Sequence, residues 1–365
     1  MINQIPLPYI HMNKMPPLSY VFELYHNENI TSEYIKRLQT LHVKSKLCDS
    51  YDKDLLNIII HDINKSIMSC NISFSYFEYI ELINYNYQKK TYISDIKYSV
   101  YGNNIVNITR AMDNVFNLRN IKPNCSHYTI DFTTKTLSKI LSITPANFDI
   151  AFLAMRDEGH DSPGYSDAEH LIINLLHMLY NLKVGGDINI LIKNTHSAIY
   201  MDILFYLNTL FSKVYISRPA SMKLCDNHRY IVCKNMSRRV DQVEIKTIHD
   251  YIYSHTIAIG QMNVIHTDTR MFKQDIPMFF RHRLDEVNCI FGQQILEYTM
   301  MVISNKPHEI FANIRHRCEN IKEWLNIHGV FMPLNIDRIV ANNTITYVLD
   351  ETTEKETDVS SVFVN

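Results

Sequence analysis

One stretch of the chain, residues 182–235, constrains the fold more than any other. It reads LKVGGDINILIKNTHSAIYMDILFYLNTLFSKVYISRPASMKLCDNHRYIVCKN. A helix that ends at Leu182-Lys183 and a turn at Gly185-Gly186 lead into a predicted buried strand over 188–192, and Lys193 follows directly. Ligands of open α/β sheets collect at the carboxyl ends of the strands. The spacing therefore predicts that Lys193 lies where chemistry can occur.

The same alternation of helix and strand extends over the middle of the chain. The patterns predict helices over 73–84, 104–118, 166–182 and 197–211, and strands over 91–96, 127–132, 148–153, 213–217 and 229–234. Such alternation predicts an α/β fold with a parallel sheet and helices on both of its faces. The loop between the last two strands is too short for a crossover helix, so these two strands are expected to pair antiparallel.

Composition bounds the class of protein and its organisation. The net charge of −2 gives no global preference for a nucleic acid or a membrane, and the seven scattered cysteines form no CxxC pair. We therefore expect no metal site, no disulfide framework, no membrane segment and a cytoplasmic location. Four regions are predicted: an extended and helical extension over 1–70, the sheet domain over 71–240, a helical region over 241–335 and a polar, acidic tail over 336–365.

Four short motifs carry a resemblance to a known family. The chain shows LKVGG, ILIK, KVYISRPASMK and DNHRYIVC in that order. In this it resembles the FtsJ-like RNA 2′-O-methyltransferases, in the form found in large cytoplasmic DNA viruses. The resemblance implies a Rossmann-like sheet of seven strands with the last one antiparallel, S-adenosylmethionine as the cofactor and RNA as a partner.

The family's chemistry uses a Lys-Asp-Lys-Glu set that prepares the ribose 2′-hydroxyl for attack on the methyl group. The resemblance places the central lysine on Lys193. The first lysine of the set falls on Glu78, the aspartate on Ala154 and the glutamate on His228, so three positions are changed. Asp157 is an alternative for the aspartate. His228 is either a replacement base or a surface histidine at a vacated position.

The cofactor loop also departs from the family pattern. The predicted first strand ends at 94–96 with Asp95, and the following KYSVYGNN contains Gly102 as its single glycine. Larger side chains there would crowd the approach of the cofactor. The resemblance assigns Asp95, Gly102 and Asp131 as vestigial cofactor positions, although Asp131 is also explained as a strand-end cap. We accordingly expect no S-adenosylmethionine binding that calorimetry can measure.

Two polar clusters have a functional and an ordinary interpretation. Arginines and a lysine around the loop between the last two strands are either RNA contacts or a solvated rim: Arg218, Lys223, Arg229, Arg238 and Arg239. The segment DEGHDSPG, which begins at Asp157, has the residue types of a metal site but is also rich in turn formers, and a polar loop is favoured.

These observations leave two hypotheses for function. The first is a catalytically degenerate member that acts as an RNA-binding or scaffolding subunit in a viral mRNA capping or transcription assembly. The second is an active mRNA cap ribose 2′-O-methyltransferase with a rearranged site that uses Lys193, Asp157 and His228. Because members of a catalytic set act as a unit, losing several of them removes most of the rate, which favours the first hypothesis.

Overall fold

The computed structural model describes these residues: 3–8, 74–87, 95–102, 104–117, 121–128, 145–154, 167–192, 195, 197–219, 221–222, 228–257, 270–272 and 275–303. The chain divides into two compact units, 1–43 with 73–296 and 44–72 with 297–365. The sheet and its site belong to the first unit.

Seven strands and six helices are described. The strands are β1 (Asn3–Pro6), β2 (Ile96–Gly102), β3 (Pro123–Tyr128), β4 (Phe148–Ala154), β5 (Leu182–Ile192), β6 (Phe211–Arg218) and β7 (Arg229–Met236). The helices are α1 (Phe74–Tyr87), α2 (Ile105–Asn117), α3 (Asp167–Asn181), α4 (Ala198–Leu210), α5 (Gln242–Ile257) and α6 (Met278–Ile303). None of the described helices is both long enough and apolar enough to cross a bilayer.

The strands form one mixed sheet in the order β1-β6-β7-β5-β4-β2-β3. Strands β3, β2, β4 and β5 are parallel, and β7 is antiparallel to both β5 and β6. This confirms the predicted α/β class and the antiparallel last strand. The sheet is completed by the N-terminal strand β1, which the sequence pattern did not predict. It pairs antiparallel with β6 at the sheet edge.

Helices cover both faces of the sheet, as the side chains of β4 show. Phe152 meets Tyr79 of α1 edge-on, with ring centroids 6.2 Å apart. Its neighbours Ala151 and Leu153 belong to the apolar core formed with α3 and α4. Successive side chains of a strand point to opposite faces, so α1 lies on one face and the α3–α4 pair on the other.

The core extends beyond the predicted sheet domain in both directions. Leu7, next to β1, is buried in it. Helix α6 contributes a buried stripe at helical spacing: Phe280, Leu284, Val287 and Phe291. Strand β1 and the part of α6 up to residue 296 thus belong to the same compact unit as the sheet.

Two strands lie elsewhere than the sequence pattern predicted. The first parallel strand runs over Ile96–Gly102 rather than 91–96, and the second over Pro123–Tyr128 rather than 127–132. The run IKYSVYG is almost wholly buried, and it is paired by β3 on one side and by β4 on the other. Strand β5 is also longer than predicted, since it begins at Leu182 and continues through Gly185, whose φ of +81° a glycine adopts without strain.

Candidate functional site

The candidate site lies at the carboxyl edge of the parallel strands, which is the usual ligand edge of an α/β sheet. Gly102, Ala154 and Ile192 end β2, β4 and β5 there. Because β7 is antiparallel, its first residue, Arg229, lies at the same edge, opposite Ile192. Lys193 follows Ile192 in the chain, but its position lies outside the described residues.

Helix α1 places an acidic residue at this edge. The carboxylate of Glu78 is completely buried, and its Oε2 accepts a hydrogen bond from the hydroxyl of Tyr230 at 2.6 Å. One turn further along α1, Oε2 of Glu81 accepts hydrogen bonds from the backbone N–H of Ser221 at 3.1 Å and from its hydroxyl at 3.0 Å. The two acids therefore hold both ends of the β6–β7 connection against α1.

His228 immediately precedes β7 and is half-buried. Its backbone oxygen accepts a hydrogen bond from Nη1 of Arg229 at 2.9 Å. Since Tyr230 contacts Glu78, the structure brings the chain around His228 to the same edge as α1. Ala154 is buried at the end of β4, where its methyl group offers no polar atom. Asp157 lies outside the described residues.

Helix α6 forms a second wall of this edge, and sequence analysis missed it. The side chain of Asn288 accepts a hydrogen bond from the hydroxyl of Thr195, and its Nδ2 donates to the Thr195 carbonyl at 3.4 Å. One turn further on, the ring of Phe291 lies 4.9 Å from the Arg229 guanidinium carbon. Thr195 and Arg229 are both buried. Helical periodicity predicted a helical region here but not the segments that the helix contacts. These contacts join residues about 60 to 90 positions apart in the sequence.

The cofactor loop is displaced from its predicted position. Asp95 precedes β2, so it lies at the amino edge and not at the strand end that the family uses; that assignment is wrong. Gly102 ends the strand with φ +97°, and its carbonyl lies 3.3 Å from Nε2 of His127. The turn into α2 passes through Asn104, whose carbonyl accepts the Ile108 N–H at 3.1 Å. Asp131 lies outside the described residues.

The tyrosines that were expected to crowd this loop pack instead within the sheet. Tyr98 lies edge-on to Phe152, with ring centroids 6.4 Å apart. Tyr101 points to the other face, where its hydroxyl lies 2.9 Å from Nδ1 of His177. Burial lowers the pKa of His177 to about 4. At the described part of the β2–α2 turn, Gly102 therefore has no side chain that would obstruct a ligand approaching the backbone.

The five basic residues assigned to RNA do not form one exposed rim. Arg218 and Arg229 lie at the carboxyl edge and are buried. Arg238 donates two hydrogen bonds to Glu244, at 2.7 and 2.9 Å, and this bonding raises its pKa. Arg239 is exposed but, like Arg238, follows the far end of β7. Lys223 lies outside the described residues.

Within the described part of the chain, no group of three or more His, Cys, Asp or Glu side chains is arranged to hold a metal ion. The segment from Asp157 to Asp161, considered above as an alternative metal cluster, is not part of the described residues.

The topology defines the class of fold. The seven-stranded mixed sheet, with helices on both faces and its last strand antiparallel, is a Rossmann-like sheet of the kind found in S-adenosylmethionine-dependent methyltransferases. No protein-family model matches the chain, and no curated protein is similar enough in sequence to match it. Among solved structures, it is similar to a putative class I S-adenosylmethionine-dependent methyltransferase from Listeria monocytogenes. That similarity has 10% identity and a TM-score of 0.32, and it covers 52% of this chain and 70% of the other. At this level it adds nothing to what the strand order shows.

Proposed function

We propose that this chain is a catalytically degenerate relative of the FtsJ-like RNA 2′-O-methyltransferases that acts as a non-catalytic, RNA-associated subunit of an mRNA capping or transcription assembly. The proposal combines the motif resemblance over 182–235 with the side chains found at the carboxyl edge. Its substrate class and assembly come from that resemblance.

The observation that carries the proposal is the environment of Glu78. The resemblance assigns a lysine to this position, and here an acid is completely buried and bonded to the Tyr230 hydroxyl. A carboxylate cannot supply the positive charge with which that lysine helps to fix the protonation state and position of the central lysine. Removing the donor would leave the buried acid without this hydrogen bond and would cost its desolvation penalty. The Glu78–Tyr230 contact therefore contributes to the stability of the fold.

A second position supports the same conclusion. Ala154, at the position assigned to the aspartate, is buried at the end of β4. An alanine methyl group can neither accept a proton nor orient an amine. With two positions of the set occupied by residues that cannot replace the originals, most of the rate is lost, since such sets act together.

The proposal does not require that S-adenosylmethionine binding is lost. Loss of binding was predicted from a β2 that ends at Ile96, whereas the strand continues to Gly102. Of the chain's residues, Gly102 would let the cofactor approach the backbone, and the N-terminus of α2 would face it. Bound S-adenosylmethionine would supply an electrophilic methyl group.

The alternative, an active cap 2′-O-methyltransferase that uses Lys193, Asp157 and His228, gains support from the same correction. The loop after Gly102 is no longer a reason against cofactor binding. In this alternative His228 would take the place of the missing glutamate as a base beside the start of β7.

The test is a methyl-transfer assay with the full-length protein, S-adenosylmethionine and capped RNA. We expect no ribose 2′-O-methylation by mass spectrometry of digested RNA, while an active cap methyltransferase assayed in parallel supplies the positive control. Methylation that disappears in the Lys193→Ala variant would overturn the proposal and establish the alternative. Calorimetry with S-adenosylmethionine separates binding without transfer from complete loss of the cofactor site.

A further inference from the structure

The exposed basic side chains of the described chain are concentrated at one edge of the sheet. Among the described residues, six lysines and arginines are exposed: Lys97, Lys122, Lys183, Lys213, Arg239 and Lys246. The first five lie at the amino edge, opposite the candidate site, and Lys246 lies on α5, which begins at that edge. At the carboxyl edge, by contrast, Arg218 and Arg229 are buried.

Two of these side chains, those of Arg239 and Lys183, contact residues at the start of β4, and the backbone at Lys97 and Lys122 is hydrogen-bonded nearby. Arg239 donates a hydrogen bond to the side chain of Asn147. Two residues further on, Asp149 pairs with Lys183 and also accepts the backbone N–H of Lys97 at 2.8 Å. The next strand position, Ile96, donates to the carbonyl of Lys122 at 3.3 Å. These contacts place Arg239, Lys183, Lys97 and Lys122 at neighbouring positions along the amino edge.

The group runs across the strands as a row. Lys213 lies near the start of β6, Arg239 follows β7, Lys183 is in β5, Lys97 is in β2 and Lys122 precedes β3. In sheet order these strands span five intervals from β6 to β3. At about 4.8 Å per interval the row is roughly 24 Å long. We call these five residues the amino-edge row.

Neighbouring carboxylates neutralise only part of this charge. Asp149 is engaged by Lys183 and the Lys97 backbone. Asp241 caps α5, because its Oδ1 accepts the Glu244 N–H at 2.7 Å. Asp95 is exposed beside Lys97. Among the described residues, no carboxylate forms an ion pair with Lys97, Lys122 or Lys213.

We propose that the amino-edge row is a docking surface for the phosphate backbone of single-stranded RNA. The inference rests on the proposed function for its choice of RNA and moves the contact from the carboxyl edge to the opposite one. A row of cations along one sheet edge suits the repeated charges of a phosphate backbone, whereas an acidic protein would require no such row. Contacts of this kind confer affinity without sequence preference and weaken steeply with salt.

The experiment is fluorescence anisotropy of a labelled oligouridine 20-mer with the full-length protein over a series of salt concentrations. The test variant carries Lys97→Gln, Lys122→Gln and Lys213→Gln. If each lysine neutralises one phosphate, the slope of log affinity against log salt falls by about 2, and binding at low salt weakens at least about tenfold.

A control variant with the same change in net charge carries Val106→Glu, Cys289→Glu and Ile290→Glu. These residues are exposed and lie on α2 and α6, the helices next to the carboxyl edge. We expect it to bind RNA nearly as tightly as the wild-type chain. Thermal unfolding verifies that both variants are folded.

Equal weakening in both variants, an unchanged slope in the glutamine variant, or no RNA binding by the wild-type chain at low salt would overturn the docking surface. The methyl-transfer assay reports on the proposed function separately. If the chain methylates RNA and its RNA affinity depends on the amino-edge row, only the proposed loss of catalysis is refuted. If the chain does not methylate RNA and its RNA affinity is independent of the row, only the docking surface is refuted.

Discussion

The hydroxyl of Tyr230 donates to Oε2 of Glu78 at 2.6 Å and so joins the start of β7 to a helix 152 residues earlier in the chain. Both side chains are at most 1% exposed. The contact fixes α1 over the edge at which the family's chemistry would take place. It also shows that the acid at a position assigned to lysine is part of the packed structure and not an incidental surface change.

Replacing Tyr230 with Phe should destabilise the protein by about 1–3 kcal/mol, because the buried Glu78 carboxylate loses a donor and keeps its desolvation cost. The free energy of unfolding in urea measures this. Adding Glu78→Met should recover part of the loss, since the carboxylate that lost its donor is then no longer buried. Tyr85→Phe on the same helix is the control, as Tyr85 is 57% exposed. Equal effects of Tyr230→Phe and Tyr85→Phe would contradict the assignment.

Replacing Asn288 with Ala should loosen the chain that follows β5. The variant removes both hydrogen bonds to Thr195 and leaves a buried hydroxyl and carbonyl without them. We expect a loss of about 1 kcal/mol and faster amide hydrogen exchange around residues 195–197 than in the wild-type chain, with little change in α4. Cys289→Ala, at the exposed neighbouring position, should change neither quantity. Exchange in this segment that is no faster than in the wild type would show that α6 does not hold it.

His177 should make the protein less stable in mild acid. Its pKa falls to about 4 in the folded state from an ordinary value of 6.5, because burial beside Tyr101 and Asn181 disfavours the charged ring. The unfolded chain binds the proton first, so stability is lost as the pH falls from about 6.5 towards 4, by up to about 3 kcal/mol.

Asp202 should act in the opposite direction in the same range. Burial raises its pKa to about 6 despite the ion pair with Arg270, so the folded state takes up its proton before the unfolded chain does. Urea unfolding of His177→Gln between pH 4 and 7 separates the two groups: the variant should lose less stability in acid than the wild-type chain. Parallel pH profiles for the two proteins would contradict the role of His177.

The sequence predicted local structure well where one pattern dominates. The helix predicted over 104–118 is α2 at Ile105–Asn117, and the strand predicted over 148–153 is β4. It failed at the first strand, because TYISDI and IKYSVYG are both rich in β-forming residues. Only pairing with β3 and β4 selects the second run. That shift of about six residues moved Asp95 to the wrong edge and left Gly102 at the right one.

The basic residues illustrate the limit of sequence spacing more clearly. Arg229 and Arg239 lie close in the sequence, since one precedes and the other follows most of β7. That strand nevertheless separates them by about 24 Å along its direction. Spacing alone could not show which of them is buried, since Arg229 is covered by Phe291 of a helix that begins almost 50 residues later. Burial depends on contacts between distant segments, and periodicity contains no information about these.

By itself, then, the sequence determined the α/β alternation, the antiparallel last strand and the substitutions at the positions of Glu78 and Ala154, because these follow from local periodicity and residue identity. The tertiary structure decided where β2 ends, that Glu78 bonds to Tyr230, and that α6 packs at the carboxyl edge. It also decided that the exposed cations of the described residues lie mainly at the amino edge. Each of these depends on which distant segments exclude water from one another, and that is settled only when the whole sheet and its helices pack together.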